Sequence, residues 1–202
     1  MRKELFPISI FHGKVEDNDK LKNSIIPFIE ETKHGNKPPE GWLTNNINTS
    51  YNNIEVNCYD FLIDQTQQQY QAVLNNFFDD TFNINVSQMW YNVYNGGEWQ
   101  EQHTHTGTIR SPIHFACIHF LSFDPDIHTP VTFIDPLITT RALSLEMKSN
   151  GYNDKVNLKY EEGDLIMFPS YLSHEVRPSK PSTYPRITIS FNIEVINYAS
   201  LK

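Results

Sequence analysis

From Asn83 onward the sequence runs as short β-rich segments parted by turn residues, with no helix-length pattern between them: NINVSQMWYNVY, WQEQHTHT, IHFACIHFLSF, PVTFID, LSLEMK, KVNLKY, DLIMFPS, SHEVRP and RITISFNIEVI. Eight or nine strands in succession without intervening helices predict an antiparallel sandwich or barrel. The first part of the chain reads differently. Pro7 to Phe11 alternates and is β-branched, a predicted strand, and leads into Asp17-Asn18-Asp19, a good helix start. Leu21, Ile25, Phe28 and Ile29 follow at helical spacing and predict an amphipathic helix to about Thr32. His34 to Ser50 carries turn chemistry, with Asn45, Asn46 and Asn48 among its residues, and is read as a loop that continues through Asn52 and Asn53. A second helix is expected over Phe61 to Phe78, burying Tyr70, Val73, Leu74, Phe77 and Phe78. The expectation is an α+β chain with an all-β core and N-terminal helices packed on one outer face. One domain spans 1–202, with a mostly helical support region at 1–82 and the β core at 83–197.

Composition narrows the function classes. With 39% hydrophobic, 13% aromatic and only 20% charged residues, the 202-residue chain is a packed globule rather than a disordered one. Its net charge of −8 disfavours a broad phosphate-tracking surface, so nucleic acid is not an expected partner. Two cysteines, Cys58 and Cys117, cannot build a disulfide framework. The start MRKELFPISIF lacks a secretory pattern, and no apolar run reaches the roughly 18–20 residues of a membrane helix. These features favour the cytoplasm and no membrane partner.

The stretch EWQEQHTHTG is the most informative about chemistry. If it is extended, Trp99, Glu101, His103 and His105 share one face, and Gln100, Gln102 and Thr104 the other. Two imidazoles at i, i+2 emerge about 7 Å apart and can reach one metal ion. A second piece, EGDLIMFPSYLSHEVRPS, carries His174 after an apolar strand and a proline break. Twelve residues later Arg186 opens RITISFNIEV, whose apolar face is Ile187, Ile189, Phe191, Ile193 and Val195, with Arg186, Thr188, Ser190 and Asn192 opposite. For one strand alone, a solvent-facing polar side explains that pattern as well as an enclosed guanidinium does. His114 and His119 fall on opposite faces of their strand and read as satisfied polar side chains; His12, His34 and His128 lie near turns and read as solvated. Trp90 and Trp99 read as packing residues, and Tyr91, Asn92 and Tyr94 as contacts around a metal or co-substrate.

H-x-H, about seventy residues, a His in the context FPSYLSHEV, then PRITISFN: this order resembles the iron(II)/2-oxoglutarate oxygenases, especially a small subfamily frequent in bacteriophage and bacterial genomes. The resemblance covers Trp90 to Ile193, including the Trp90 to Asn92 strand, while SPIHFACIHFL stands with weak identity where a Ser-Gly-Val-Tyr-Tyr-like strand is usual. It implies a distorted double-stranded β-helix, the jelly-roll or cupin-like fold. It implies Fe(II) held at His103, at the second position of the pair and at His174, with 2-oxoglutarate as co-substrate. Arg186 then matches the residue that grips the far carboxylate, and Thr188 a hydroxyl that shares it; a planar guanidinium fork suits a carboxylate. Asn92 and Tyr94 join them as co-substrate contacts.

One departure bears on the metal. Most of the superfamily has H-x-Asp or H-x-Glu, a two-His, one-carboxylate triad, and this chain has His105 there. Either His105 ligates, leaving three neutral ligands, or Glu101 or Asp135 supplies the anion. The resemblance implies a dioxygenase that consumes O₂ and hydroxylates an unidentified protein or small-molecule substrate; halogenation usually requires a small residue in the acid's place. A three-His, cupin-like metal enzyme that does not use 2-oxoglutarate is a rival, as is a non-catalytic phage structural or binding module. The sequence admits a homodimer.

Overall fold

A computed structural model of the chain describes residues 7–33, 36–44, 46–51, 58–78, 82–143 and 153–198. His34, Asn45, Asn52 and Asn53 lie outside the described residues, as does the predicted strand LSLEMK beyond Leu143. In chain order the elements are β1 (Phe11–Lys14), α1 (Asn18–Thr32), β2 (Asn48–Thr49), α2 (Cys58–Leu74), β3 (Phe82–Tyr94), β4 (Gln100–His103) and β5 (Phe115–Ser122). They continue as β6 (Val131–Ile134), α3 (Ile138–Leu143), β7 (Lys155–Asn157), β8 (Asp164–Pro169), β9 (His174–Val176) and β10 (Arg186–Tyr198). Among the described residues no helix is long and apolar enough to cross a membrane.

Two antiparallel sheets face each other. Among the described residues the larger has six strands in the order β1-β8-β5-β10-β3-β2, and the smaller four in the order β4-β9-β6-β7. Consecutive strands repeatedly fall in different sheets, as β3, β4 and β5 do, which is the winding of the double-stranded β-helix. At the centre β10 pairs with β3 from Arg186↔Tyr94 to Tyr198↔Phe82, and with β5 on its other side. Parity along these strands sorts the side chains. Ile187, Ile189, Phe191 and Ile193 of β10, with Met89 and Val93 of β3, pack against Leu21, Ile25 and Ile29 of α1 and Leu62, Tyr70 and Val73 of α2. A second core lies between the sheets, formed by Ala116, Ile118, Phe120, Phe133, Ile166, Phe168 and Leu172 with Tyr160. Helices α1 and α2 thus cover one outer face, as their period-3.6 stripes predict.

Several boundaries differ from the sequence pattern, for local reasons. The first strand is Phe11–Lys14 rather than Pro7 to Phe11. Its partner β8 meets it at Phe11↔Met167 and ends at Pro169, which has no N–H to extend the ladder. The second helix runs Cys58–Leu74, not to Phe78: Asn75 and Asn76 favour turns, and the Phe77 amide falls back on Leu74 O at 2.8 Å. The Phe77 ring still packs on Phe11, with centroids 5.5 Å apart, so its burial was legible where its backbone was not. β1 and β2, although they precede residue 83, complete the edges of the larger sheet.

Candidate metal centre

The extended reading of EWQEQHTHTG fails in an instructive way. β4 ends at His103, because β9 beside it spans only His174–Val176. Between Gln100↔Val176 and His103↔His174 the register shifts by one residue, a β-bulge that inverts the side-chain parity. Gln100 is therefore buried, its Oε1 accepting from Tyr94 Oη at 2.7 Å, although alternation set it opposite His103. Glu101 turns toward the 42–44 segment, where its two carboxylate oxygens accept from the amides of Leu43 (3.1 Å) and Thr44 (3.3 Å). His105 lies beyond the strand, its amide donating to Ser170 O at 2.8 Å.

The fold nevertheless gathers His103, His105 and His174, with a ring nitrogen of each within 4.8 Å of the others'. Ring centroids are 4.2 Å apart for His103 and His174, 5.2 Å for His103 and His105, and 5.1 Å for His105 and His174. The hydrogen bonds fix their tautomers. His103 Nδ1 lies 2.7 Å from Glu101 O, His174 Nδ1 3.0 Å from Leu172 O, and His105 Nδ1 2.8 Å from Asn192 Oδ1. Carbonyl oxygens only accept, so each Nδ1 carries its proton and each Nε2 keeps a free lone pair. Burial, and then the neighbouring imidazoles, hold His105 down to about 4 and His174 well below the usual histidine range; burial also lowers His103. Three neutral imidazoles with free Nε2 lone pairs are a donor set for a divalent transition metal. Neither Glu101 nor Asp135 joins the group; Asp135 pairs with Arg141 at 3.1 Å.

Deeper between the sheets sits Arg186, 1% exposed, on the strand face that also bears Thr188, Ser190 and Asn192. Its Nη1 donates to Thr129 O at 2.9 Å, and its guanidinium carbon lies 5.1 Å from the Tyr94 ring centroid and 5.6 Å from that of Phe120. Its Nε has no partner, and no carboxylate among the described residues forms an ion pair with it. Burial lowers its pKa to about 10, opposed by Tyr94 and Tyr160, so it stays a cation. A buried unpaired cation costs several kcal/mol, roughly what a charged ligand must compensate. The buried Tyr160 Oη and Asn92 Oδ1 also lack partners, while Asn92 Nδ2 reaches Ser190 Oγ at 3.3 Å. The buried guanidinium and the vacant hydrogen-bonding capacity here fit a ligand that carries a carboxylate.

The geometry is matched by sequence. Residues 88–192, just over half the chain, match the family described as "Putative 2OG-Fe(II) oxygenase". The chain belongs to this oxygenase family. It is an Fe(II)- and 2-oxoglutarate-dependent oxidoreductase with the double-stranded β-helix fold. No curated protein sequence matches the oxygenase. Its fold is similar to a prolyl-4-hydroxylase from Pseudomonas putida, at 12% identity and TM-score 0.58 over 94% of each chain. It is also similar to a prolyl hydroxylase from Trichoplax adhaerens in complex with a hypoxia inducible factor oxygen degradation domain peptide fragment, at 11% identity and TM-score 0.63 over 96% of this chain and 86% of that one. HygX from Streptomyces hygroscopicus, with nickel and 2-oxoglutarate bound, gives 10% identity and TM-score 0.57 over 92% and 82%.

Several other residues of the oxygenase fall differently from their sequence reading, while His114 and His119 lie outside the site as read. Tyr91 faces the helices, its hydroxyl meeting Thr32 Oγ1 at 3.2 Å, and so stands apart from Asn92 and Tyr94. Trp90 is more than packing: it stacks on His105 at 5.8 Å and lines a cleft of about 730 Å³ that opens over His103 and His105. His128 is 4% exposed rather than solvated, accepting from Asp124 N and donating to Tyr184 O. His12 sits on β1 beside Asp164 at 3.0 Å. His119 is buried against Tyr70 Oη at 2.8 Å and His114 accepts from Val195 N, both outside the site. Sequence reading placed Asn192 on Arg186's face but gave it no role, although parity pointed to it; Tyr160 and Thr129 carried no signal.

Proposed function

We propose that His103, His105 and His174 hold Fe(II) through Nε2, and that Arg186 takes the far carboxylate of 2-oxoglutarate with Thr188 and the Tyr160 hydroxyl beside it. Asn92 and Tyr94 line the path between the two ends. The observation that carries this reading is the unpaired Arg186 guanidinium, buried on the same strand face as Asn192, which holds a histidine. When bound, iron and co-substrate supply oxidative decarboxylation to succinate and CO₂ and oxidation of a substrate C–H bond by O₂. The chain's own part is to fix the ligands, neutralise the diacid at Arg186 and keep water out with Phe120, Phe133 and Phe168. Every group required comes from this one chain, so the site needs no partner subunit.

The primary substrate enters by the 730 Å³ cleft, whose walls are aromatic at Trp42, Tyr51 and Trp90 and neutral and polar at Gln88, Gln102 and Thr106. Among the described residues no Lys or Arg lines it, and the one carboxylate that does, Glu101, is held by backbone amides. That lining suits an uncharged segment and opposes a polyanion. Hydroxylation of a polypeptide side chain is the reaction we assign, supported by the prolyl-hydroxylase-like fold and the open cleft.

Anaerobic addition of 2-oxoglutarate to the Fe(II)-loaded protein tests the assignment: a metal-to-ligand charge-transfer band is expected. In Arg186→Ala the concentration for half-saturation rises about 30-fold or more, since losing one partner of a buried charge pair costs on the order of 2–5 kcal/mol. Metal uptake without the band, or a band indifferent to Arg186→Ala, would return the three-His reading that does without 2-oxoglutarate. Absence of metal uptake would leave a binding module.

A further inference from the structure

The three histidines are oriented by acceptors of two kinds. His103 and His174 each donate Nδ1–H to a carbonyl two residues back, Glu101 O and Leu172 O, so the local backbone sets their rings. His105, beyond the end of β4, donates to a side chain instead, Asn192 Oδ1, 87 residues away on β10. Asn192 Nδ2 in turn donates to Gln88 Oε1 at 2.8 Å, and Gln88 stands opposite Asn192 in the β3–β10 register. The third ligand thus depends on a relay of two side chains.

An amide can present either its oxygen or its nitrogen. If the Asn192 nitrogen faced His105, Nδ1 would have to accept, the proton would move to Nε2, and the lone pair aimed at the metal would be gone. Gln88, whose Oε1 accepts from Asn192 Nδ2, holds the amide the other way round. We infer that Asn192 is the positioning residue that makes His105 a metal ligand, and that Gln88 acts through it by fixing which end of the amide meets the imidazole. This rests on the three-His reading above. It accounts for how a position that usually bears an acid is filled by a neutral side chain: the acid needs no tautomer, whereas the imidazole does, and the relay imposes it.

The test uses Co(II) bound to the full chain, with affinity read by chelator competition and geometry by the visible absorption of the bound ion. Asn192→Leu is expected to bind Co(II) about 10–100-fold more weakly, the usual cost of removing an outer partner of a ligand, with a changed spectrum. Asn192→Asp keeps the acceptor and restores affinity. A carboxylate has no nitrogen to flip, so Gln88→Leu weakens Co(II) binding in the wild-type background and not in Asn192→Asp. Wild-type affinity in Asn192→Leu, or an equal loss from Gln88→Leu in both backgrounds, would overturn the inference. Should Asn192→Leu fail to fold, the Gln88→Leu and Asn192→Asp cycle decides alone. If wild-type protein binds no more Co(II) than His174→Ala, the three-His reading fails and takes this inference with it; if only the relay variants behave as wild type, the relay fails by itself.

Discussion

Along β10 the odd and the even side chains are equally buried and do opposite work. Ile187, Ile189, Phe191 and Ile193 are 0–3% exposed and packed against the helices; Arg186, Thr188, Ser190 and Asn192 are 1–5% exposed and face the smaller sheet. The apolar side is closed, with dispersion contacts all round. The polar side is not, since Arg186 Nε and, from the paired strand, Asn92 Oδ1 have no partner. Along β10, therefore, burial does not distinguish core from site; unspent hydrogen-bonding capacity does.

One substitution on each side breaks or sharpens that contrast. His174→Ala on the polar side should abolish metal retention, lowering Co(II) affinity by more than about 100-fold, beyond the cost of losing an outer partner. The melting temperature of metal-free protein should fall only modestly, because what is lost is a neutral, desolvated imidazole held by one hydrogen bond to Leu172 O. Phe191→Ala on the apolar side should cost about 3–5 kcal/mol of stability, read by urea unfolding, with the Co(II) affinity of the folded protein kept. Were Phe191→Ala to weaken Co(II) binding as strongly as His174→Ala does, the two faces would not be separable.

The apolar face also holds a buried histidine, and its effect is smaller. His119 of β5 lies beneath α2, bonded to Tyr70 Oη, and burial pushes its pKa down to about 3, with Asp164, Glu162 and Lys14 as lesser influences. In the unfolded chain a histidine titrates near 6.5, roughly. As pH falls below that value the unfolded state takes up a proton that the native state refuses until about 3, so stability is lost across that window. His119 contributes up to about 1.4 kcal/mol per pH unit to that slope. His119→Gln should start less stable at pH 7 and lose less on acidification to pH 4 in urea titrations of metal-free protein. Parallel slopes in the two proteins would show that His119 is protonated in the native state.

How much of this was legible beforehand depends on whether the determinant was local. The helix stripes, the β-rich run and the parity of RITISFN are local patterns, and they yielded α1, the two-sheet core and the polar face of β10. The His103, His105 and His174 set came from spacing together with family resemblance. Strand alternation placed His103 and His105 together for the wrong reason, since the bulge at Gln100–His103 and the early end of β4 are set by the short β9, which lies seventy residues away. Tyr160 and Thr129 reach Arg186 only through tertiary placement, and the Gln88–Asn192 relay depends on a register that no single strand specifies.

Glu101 offers the finest separation, with the smallest expected effect. By alternation it was a rival third ligand; in the fold its carboxylate instead ties the amides of Leu43 and Thr44 to β4, holding the segment that carries Trp42 at the cleft wall. Glu101→Ala should therefore leave Co(II) affinity within about twofold of wild type. The lost hydrogen bonds sit in a partly exposed place, so stability should fall by only about 1 kcal/mol. Amide exchange at Leu43 and Thr44 should speed up, because both N–H groups lose their acceptor. A tenfold loss of Co(II) affinity with those amides still protected would put the carboxylate on the metal and His105 off it. The contrast would then hold for His103 and His174 alone, whose rings are set by backbone carbonyls.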